Sequence, residues 1–186
     1  MRLIETSLPG LGVVEPRVHA DDRGFFLESF RADRLAELGI RDEWVQDNHA
    51  RSVRGVLRGM HFALPPGQVK LVRCARGAIM DVCVDIRVGS PTFGRWEAVR
   101  LDDEALRELY VPVGFAHGYV VLSEVADVCY RCSSYYDPAL EREISAHDPD
   151  LGIDWPDMPL ALSDRDRAAP RLSEVAAALP FRFGGA

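Results

Sequence analysis

Between Lys70 and Ser134 apolar and polar residues alternate in short runs broken by Gly, Pro and Asp. The runs KLVRCARG, AIMDVCVDIRVGSPTFG, RWEAVRL, LYVPVGFAHGYVVLS and ADVCYRCSS recur at roughly eight- to twelve-residue spacing. That spacing predicts antiparallel strands in a sandwich or barrel rather than alternating β and α units. Helical spacing is confined to RADRLAELG (31–39), which ends on a glycine, and LSEVAAAL (172–179), which follows Pro170. Two short helices around many strands predict an all-β, jelly-roll β-barrel with a few short peripheral helices, whose interior can hold a ligand. No repeat and no polar linker interrupts the pattern, so residues 1–186 are expected to form a single domain.

Alternation sorts side chains by face, because successive strand residues point to opposite sides. In Ile79–Ile86, Asp81, Cys83 and Asp85 share one face, and Met80, Val82, Val84 and Ile86 share the other. The second, apolar face is expected to pack between the sheets, leaving the two carboxylates to solvent or to a polar cavity. In Asp127–Cys132, Tyr130 lies opposite Asp127 and Arg131, and one of those faces should line the barrel interior. Cys129 and Cys132 form a C-x-x-C, a spacing that elsewhere signals zinc or redox chemistry. In a strand these two point to opposite sides, and no second C-x-x-C accompanies them. They, with Cys74 and Cys83, are expected to be buried or partly buried free thiols.

At 47% apolar and 27% charged, the chain can bury a full core and is expected to be an ordinary soluble protein. Its net charge of −7 argues against broad binding of nucleic acid or of an anionic membrane, which needs a basic surface. No run approaches the roughly 18–20 apolar residues of a membrane-spanning helix. MRLIETSLPG lacks the basic start and apolar stretch of a signal peptide. The expected location is the cytoplasm, with no nucleic-acid and no membrane partner. A local cluster of Arg, Lys and His could still hold an anionic small molecule.

Pro112-Val113-Gly114-Phe115-Ala116-His117 has the P-x-G-x-x-H form of the second cupin motif. Metal-binding cupins also need a paired H-x-H and a carboxylate converging on one ion. The corresponding stretch here, Gly59-Met60-His61-Phe62, holds one His between Met60 and Phe62. Two lone histidines make a weak ligand set, so the barrel is expected to work without metal. His61 then has two readings, a structural hydrogen-bonder on a strand or a proton carrier. Its company, Arg58, Lys70, Arg73, His117 and Tyr130, suits an anionic ligand that carries a carbonyl. Arg forks phosphate, a Lys stabilises an enolate, and His moves protons. No G-x-G-x-x-G follows a strand, and no nicotinamide cofactor is expected.

Nine stretches, in order over nearly the whole chain, resemble the dTDP-4-dehydrorhamnose 3,5-epimerases, cupin-fold enzymes of deoxysugar biosynthesis. They are DDRGFFLESF (21–30), VQDNHARS (45–52), VLRGMHF (56–62), KLVRCARG (70–77), DVCVDIRVGSPTFG (81–94), VPVGFAHGYVVLSE (111–124), YRCSSYYDP (130–138), GIDWP (152–156) and LSDRDRAAP (162–170). The resemblance implies that His61 is the catalytic base, that Asp166 orients it, and that Tyr130 returns a proton from the opposite face. It implies that Lys70 stabilises the enolate oxygen. It places Arg23, Glu28, Gln46, Asn48, Arg58, His117, Glu141 and Arg165 against nucleotide, pyrophosphate or sugar, and Phe26 with Tyr136 around thymine. The implied substrate is dTDP-4-keto-6-deoxyglucose, inverted at C3 and C5 without cofactor or metal, and the implied assembly is a homodimer in which N-terminal strands are candidates for exchange.

Several of these residues have plain readings as well. Asp166 could be a surface acid in Asp164–Arg167, Phe26 and Tyr136 core or rim aromatics, Asp21-Asp22-Arg23 a solvated turn, and Asp81 and Asp85 structural hydrogen-bonders outside the first catalytic rank. Relatives in antibiotic-sugar pathways invert only C3 or only C5. Met60, the loop Ala63–Gly67 and Ser133-Ser134 depart from the family pattern beside the pocket, so a single-centre epimerase is the alternative. A non-catalytic sugar-nucleotide-binding cupin would need a broken proton relay, whereas His61, Asp166, Lys70 and Tyr130 are all present.

Overall fold

The computed structural model describes residues 1–184. One antiparallel sheet has six strands, in the order β1 (Arg2–Glu5), β2 (Gly12–Glu15), β10 (Glu108–Val111), β7 (Lys70–Arg76), β12 (Val125–Cys132) and β5 (Gln46–Val53). The facing sheet has five, in the order β13 (Glu141–Glu143), β6 (Leu57–Ala63), β11 (Phe115–Val121), β8 (Ala78–Asp85) and β9 (Trp96–Asp102). A hairpin of β3 (Val18–Asp21) and β4 (Gly24–Leu27) forms its own two-stranded sheet. The helices are short: α1 (Ala32–Glu37), α2 (Asp164–Arg167), and α3 (Leu172–Val175) continuing into a 3₁₀ turn at Ala176–Ala178. The architecture is the all-β, cupin-type jelly roll that the strand spacing predicted.

The long run 109–123 divides into β10 and β11, because Pro112 and Gly114 interrupt the ladder at a turn. The run 78–94 leaves strand at Asp85, where the carboxylate accepts from the Ser90 and Thr92 hydroxyls (2.6 and 2.7 Å) and ties down the following loop. The cysteines read as expected: all four are free, Cys129 half-buried on β12 and the other three buried.

The expectation for β8 is reversed. Ile79 and Cys83, on the Asp81/Asp85 face, lie between the sheets with Val72, Leu109, Val111 and Val128 from the six-stranded sheet and Phe115, Tyr119 and Val121 from the five-stranded one. Val82, Val84 and Ile86 point outward and are covered by Ile144, Leu151, Leu172, Leu179 and Phe181. Residues 144–181 thus act as a third layer over the five-stranded sheet, and both faces of β8 are buried. A strand buried on both sides shows no readable polar face. On β12 the ambiguity resolves: Ala126 and Val128 pack between the sheets with Tyr130 against them, so Asp127 and Arg131 face outward. Outside the six-stranded sheet, Leu35 of α1 packs with Val14, Ile40, Leu71, Phe30 and Trp44.

Candidate active site

His61 and Arg58 are three residues apart on β6, so a regular strand would point them to opposite faces. They nonetheless line one cavity. The register explains this: His117 pairs with His61 while Tyr119 pairs with Arg58, so Gly59 and Met60 together oppose the single Gly118. This is a β-bulge, and the extra residue returns the two side chains to the same face. Only glycine fits on either side of it. A Cβ on Gly59, whose φ is +128°, would lie 2.5 Å from Gly118 Cα, and a Cβ on Gly118 would lie 2.7 Å from the Arg58 carbonyl oxygen.

The cavity has a volume of about 490 Å³ and opens between the two sheets. His61, Arg58, His117 and Tyr119 enter from the five-stranded sheet, Lys70 and Tyr130 from the six-stranded one, and Arg165 and Asp166 from α2. His61 Nε2 lies 2.6 Å from Asp166 Oδ1. Asp166 is 5% exposed, so its reading as a surface acid fails. It is held by α2, a single turn capped by Ser163, whose Oγ accepts the Asp166 N–H at 3.1 Å. An acceptor-only carboxylate keeps a proton on Nε2 and leaves the lone pair on Nδ1. Glu141 Oε1 is 4.0 Å from that Nδ1.

On the opposite wall, burial pushes the Tyr130 phenol up from its ordinary value, with Cys132 and Glu141 adding to the effect and Arg58 opposing it. The phenol is therefore a protonated donor at neutral pH. Lys70 lies beside Cys132, whose thiol burial pushes up to about 11 while the ammonium draws it back. His117 Nε2 is 2.8 Å from Oδ1 of the fully buried Asp81. Arg58 donates from Nε to Ser52 Oγ at 3.1 Å, and Arg165 donates from Nε to Glu143 Oε2 at 3.0 Å. Arg58, Lys70 and Arg165 bring three cationic side chains to one cavity of an acidic protein, which suits a phosphorylated ligand.

The remaining residues expected at the site fall in two places. Glu141 and Tyr136 line a neighbouring cleft with Ala63, Gly67, Gln68 and Ser134. Gln46 Oε1 accepts the Tyr136 N–H at 2.8 Å, and Gln46 Nε2 donates to Asn48 Oδ1 at 3.0 Å, which ties β5 to this cleft. Arg23, Phe26 and Glu28 are not brought to the His61 cavity within one chain. Arg23 and Phe26 sit on the β3–β4 hairpin, Phe26 is 67% exposed, and Glu28 pairs with Arg31 at 3.3 Å. Phe26 and Tyr136 therefore line different hollows, because the hairpin forms its own sheet.

Sequence reasoning missed Ser52, Ser163, Glu143 and Tyr119, and left Asp81 aside. The pattern Ser163-x-x-Asp166 is a helix-start signal that could have exposed α2. Tyr119 is 4% exposed, its hydroxyl has no hydrogen-bond partner among the described residues, and burial pushes it up to about 12. No group of three or more His, Cys, Asp or Glu among the described residues is placed to hold a metal ion. No helix among them is long and apolar enough to cross a membrane.

The family model described as dTDP-4-dehydrorhamnose 3,5-epimerase matches residues 5–174. A curated dTDP-4-dehydrorhamnose 3,5-epimerase of Pseudomonas aeruginosa is 49% identical, over 94% of this chain and 98% of that one. A dTDP-4-dehydrorhamnose 3-epimerase of Streptomyces niveus is 47% identical, over 94% of this chain and 86% of that one. Among solved structures, a Legionella pneumophila dTDP-6-deoxy-D-glucose-3,5-epimerase in complex with dTDP-4-keto-L-rhamnose superposes with a TM-score of 0.95 at 47% identity, covering 99% of both chains.

Proposed function

The chain belongs to the dTDP-4-dehydrorhamnose 3,5-epimerase family, and on that premise we propose that it inverts C3 and C5 of dTDP-4-keto-6-deoxyglucose, giving dTDP-4-keto-L-rhamnose for deoxysugar biosynthesis. The observation that supports this is that groups able to take and give a proton enter the cavity from different sheets. The His61–Asp166 pair stands on the five-stranded side of the cavity and Tyr130 on the six-stranded side. Inverting a carbon beside a ketone requires loss of a proton from one face and its return to the other.

His61 Nδ1 takes the α-proton, and Asp166 holds the ring and stabilises the imidazolium. The electron pair moves onto the ketone oxygen, where Lys70 supplies a donor to the developing enolate. Tyr130 then protonates carbon from the other wall. No hydride moves, so the reaction calls for no nicotinamide. Arg58, His117 and Arg165 bind the pyrophosphate and sugar, and Gln46, Asn48, Glu141 and Tyr136 bind the nucleoside side, so that remote binding energy fixes the reactive pose. The exposed hairpin with Arg23, Phe26 and Glu28 is assigned to the nucleotide site of a second copy, in a homodimer. We read residues 1–186 as one catalytic domain working in the cytoplasm. The net charge of −7 argues against a nucleic-acid partner.

The 3-epimerase relative matches nearly as well as the 3,5-epimerase, which keeps single-centre inversion as the competing reading. Incubation with dTDP-4-keto-6-deoxyglucose in D₂O separates the two. Deuterium at both C3 and C5 of an inverted product is expected; deuterium at one centre selects the narrower enzyme, and none at either removes the epimerase reading for this substrate.

A further inference from the structure

Each inversion leaves the site out of balance. His61 ends the step carrying the proton taken from carbon, and Tyr130 ends it as a phenolate. One base and one acid cannot invert a second carbon until His61 has shed its proton and Tyr130 has regained one. We propose that Glu141 is the proton-return residue that resets the pair between inversions. This rests on the reaction and the roles of His61 and Tyr130 assigned above.

The position of Glu141 singles it out. Its Oε1 is 4.0 Å from His61 Nδ1, the nitrogen whose lone pair takes the substrate proton. That gap is closed by one bridging water or a small side-chain shift. Its side chain is 13% exposed, and it lines the neighbouring cleft of about 400 Å³ with Gln68, Ser134 and Tyr136. It therefore stands between His61 and a second cleft that water reaches. The carboxylate is also close enough to Tyr130 to act on the phenol, pushing it toward the protonated form. Asp166 is not placed for this task. It is engaged with Nε2 at 2.6 Å, on the far side of the ring from the lone pair, and its side chain is 6% exposed.

The step conserves atoms and charge. The Nδ1–H bond of the imidazolium breaks and a Glu141 O–H bond forms. Glu141 passes that proton to water in the cleft, and the Tyr130 phenolate takes one from water, so no electron is transferred. The sequence resemblance places Glu141 among the substrate contacts, and a contact to the bound nucleotide is compatible with a reset that occurs once the ligand loosens or leaves.

The test compares wild-type enzyme with Glu141→Gln, which keeps shape and hydrogen bonding but cannot carry a proton. Steady-state turnover of dTDP-4-keto-6-deoxyglucose is measured across formate and imidazole concentrations at fixed ionic strength, with thermal melting as the check on folding. The expected result is a kcat lowered about 100-fold, restored progressively by added formate or imidazole, while wild type ignores the buffer. A kcat equal to wild type, whatever happens to KM, assigns Glu141 to binding alone and overturns the proposal. A lowered kcat that no buffer restores overturns it too. Wild-type enzyme that never turns the substrate over refutes the reaction itself, an outcome distinct from either.

Discussion

The bulge at Gly59-Met60 and Gly118 is what puts Arg58 and His61 on one face, and Gly→Ala variants there and at Gly89, outside it, separate steric clash from backbone strain. Gly118 carries the close approach without a positive φ: a Cβ there would meet Arg58 O at 2.7 Å, Met60 Sδ at 2.8 Å and Gly59 Cα at 3.0 Å. Overpacking of backbone against backbone costs about 2–3 kcal/mol. In a chain of this length that lowers the melting temperature by about 4–12 °C. Gly89 carries the opposite case, a φ of +87° with nothing within 4 Å of an added Cβ, so Gly89→Ala should cost about 1–2 kcal/mol from backbone strain alone. Gly59 combines a φ of +128° with a contact of 2.5 Å, and Gly59→Ala should cost roughly the sum, about 3–5 kcal/mol. Relief of the Gly118 clash displaces β6 against β11, and a 1 Å misplacement of His61 costs about 100-fold in turnover. Thermal and urea melts with epimerase kinetics measure both quantities. Gly118→Ala melting within about 1 °C of wild type with full turnover would refute the role given to the bulge.

Two further changes test electrostatic claims. Glu108 on β10 is 1% exposed with neither carboxylate oxygen hydrogen-bonded among the described residues, and burial pushes it up to about 8 against the pull of Arg73 and Arg131. A folded-state value above the ordinary 4.5 means that its contribution to stability is complete below about 4.5 and is lost as pH rises toward 8. Glu108→Gln should therefore gain on wild type, by a few kcal/mol, between pH 5 and pH 8 in urea melts; parallel stability–pH curves would dismiss the effect. Asp166→Asn can donate to His61 Nε2 and move the proton to Nδ1, abolishing the lone pair that accepts from carbon. Turnover should fall about 10²- to 10⁴-fold with dTDP binding kept, and near-normal turnover would mean that the carboxylate does not set the tautomer.

The central strands were legible because β7, β8, β11 and β12 are built from β-branched and aromatic runs punctuated by Gly and Pro. The facing of β8 was not, because the layer that covers Val82, Val84 and Ile86 comes from residues 144–181, far along the chain. Family motifs pointed to His61, Lys70, Tyr130 and Asp166, and all four line the cavity. The bulge that aligns Arg58 with His61 escaped notice, since it appears only when β6 is registered against β11. Asp166 illustrates the same limit. It lies in a charged stretch 105 residues from His61, and only the fold turns it into a buried partner. Arg23, Phe26 and Glu28 fall on a hairpin outside the cavity of their own chain, where residue type alone indicates no partner.

Following hydrogen exchange and inversion separately in D₂O with His61→Asn and Tyr130→Phe shows whether one base and one acid act from opposite walls. Tyr130→Phe is expected still to exchange substrate α-hydrogens for deuterium but no longer to invert, because His61 removes and returns hydrogen on its own face, and His61→Asn is expected to do neither. Wild-type inversion by Tyr130→Phe, or continued exchange by His61→Asn, would contradict that division of roles.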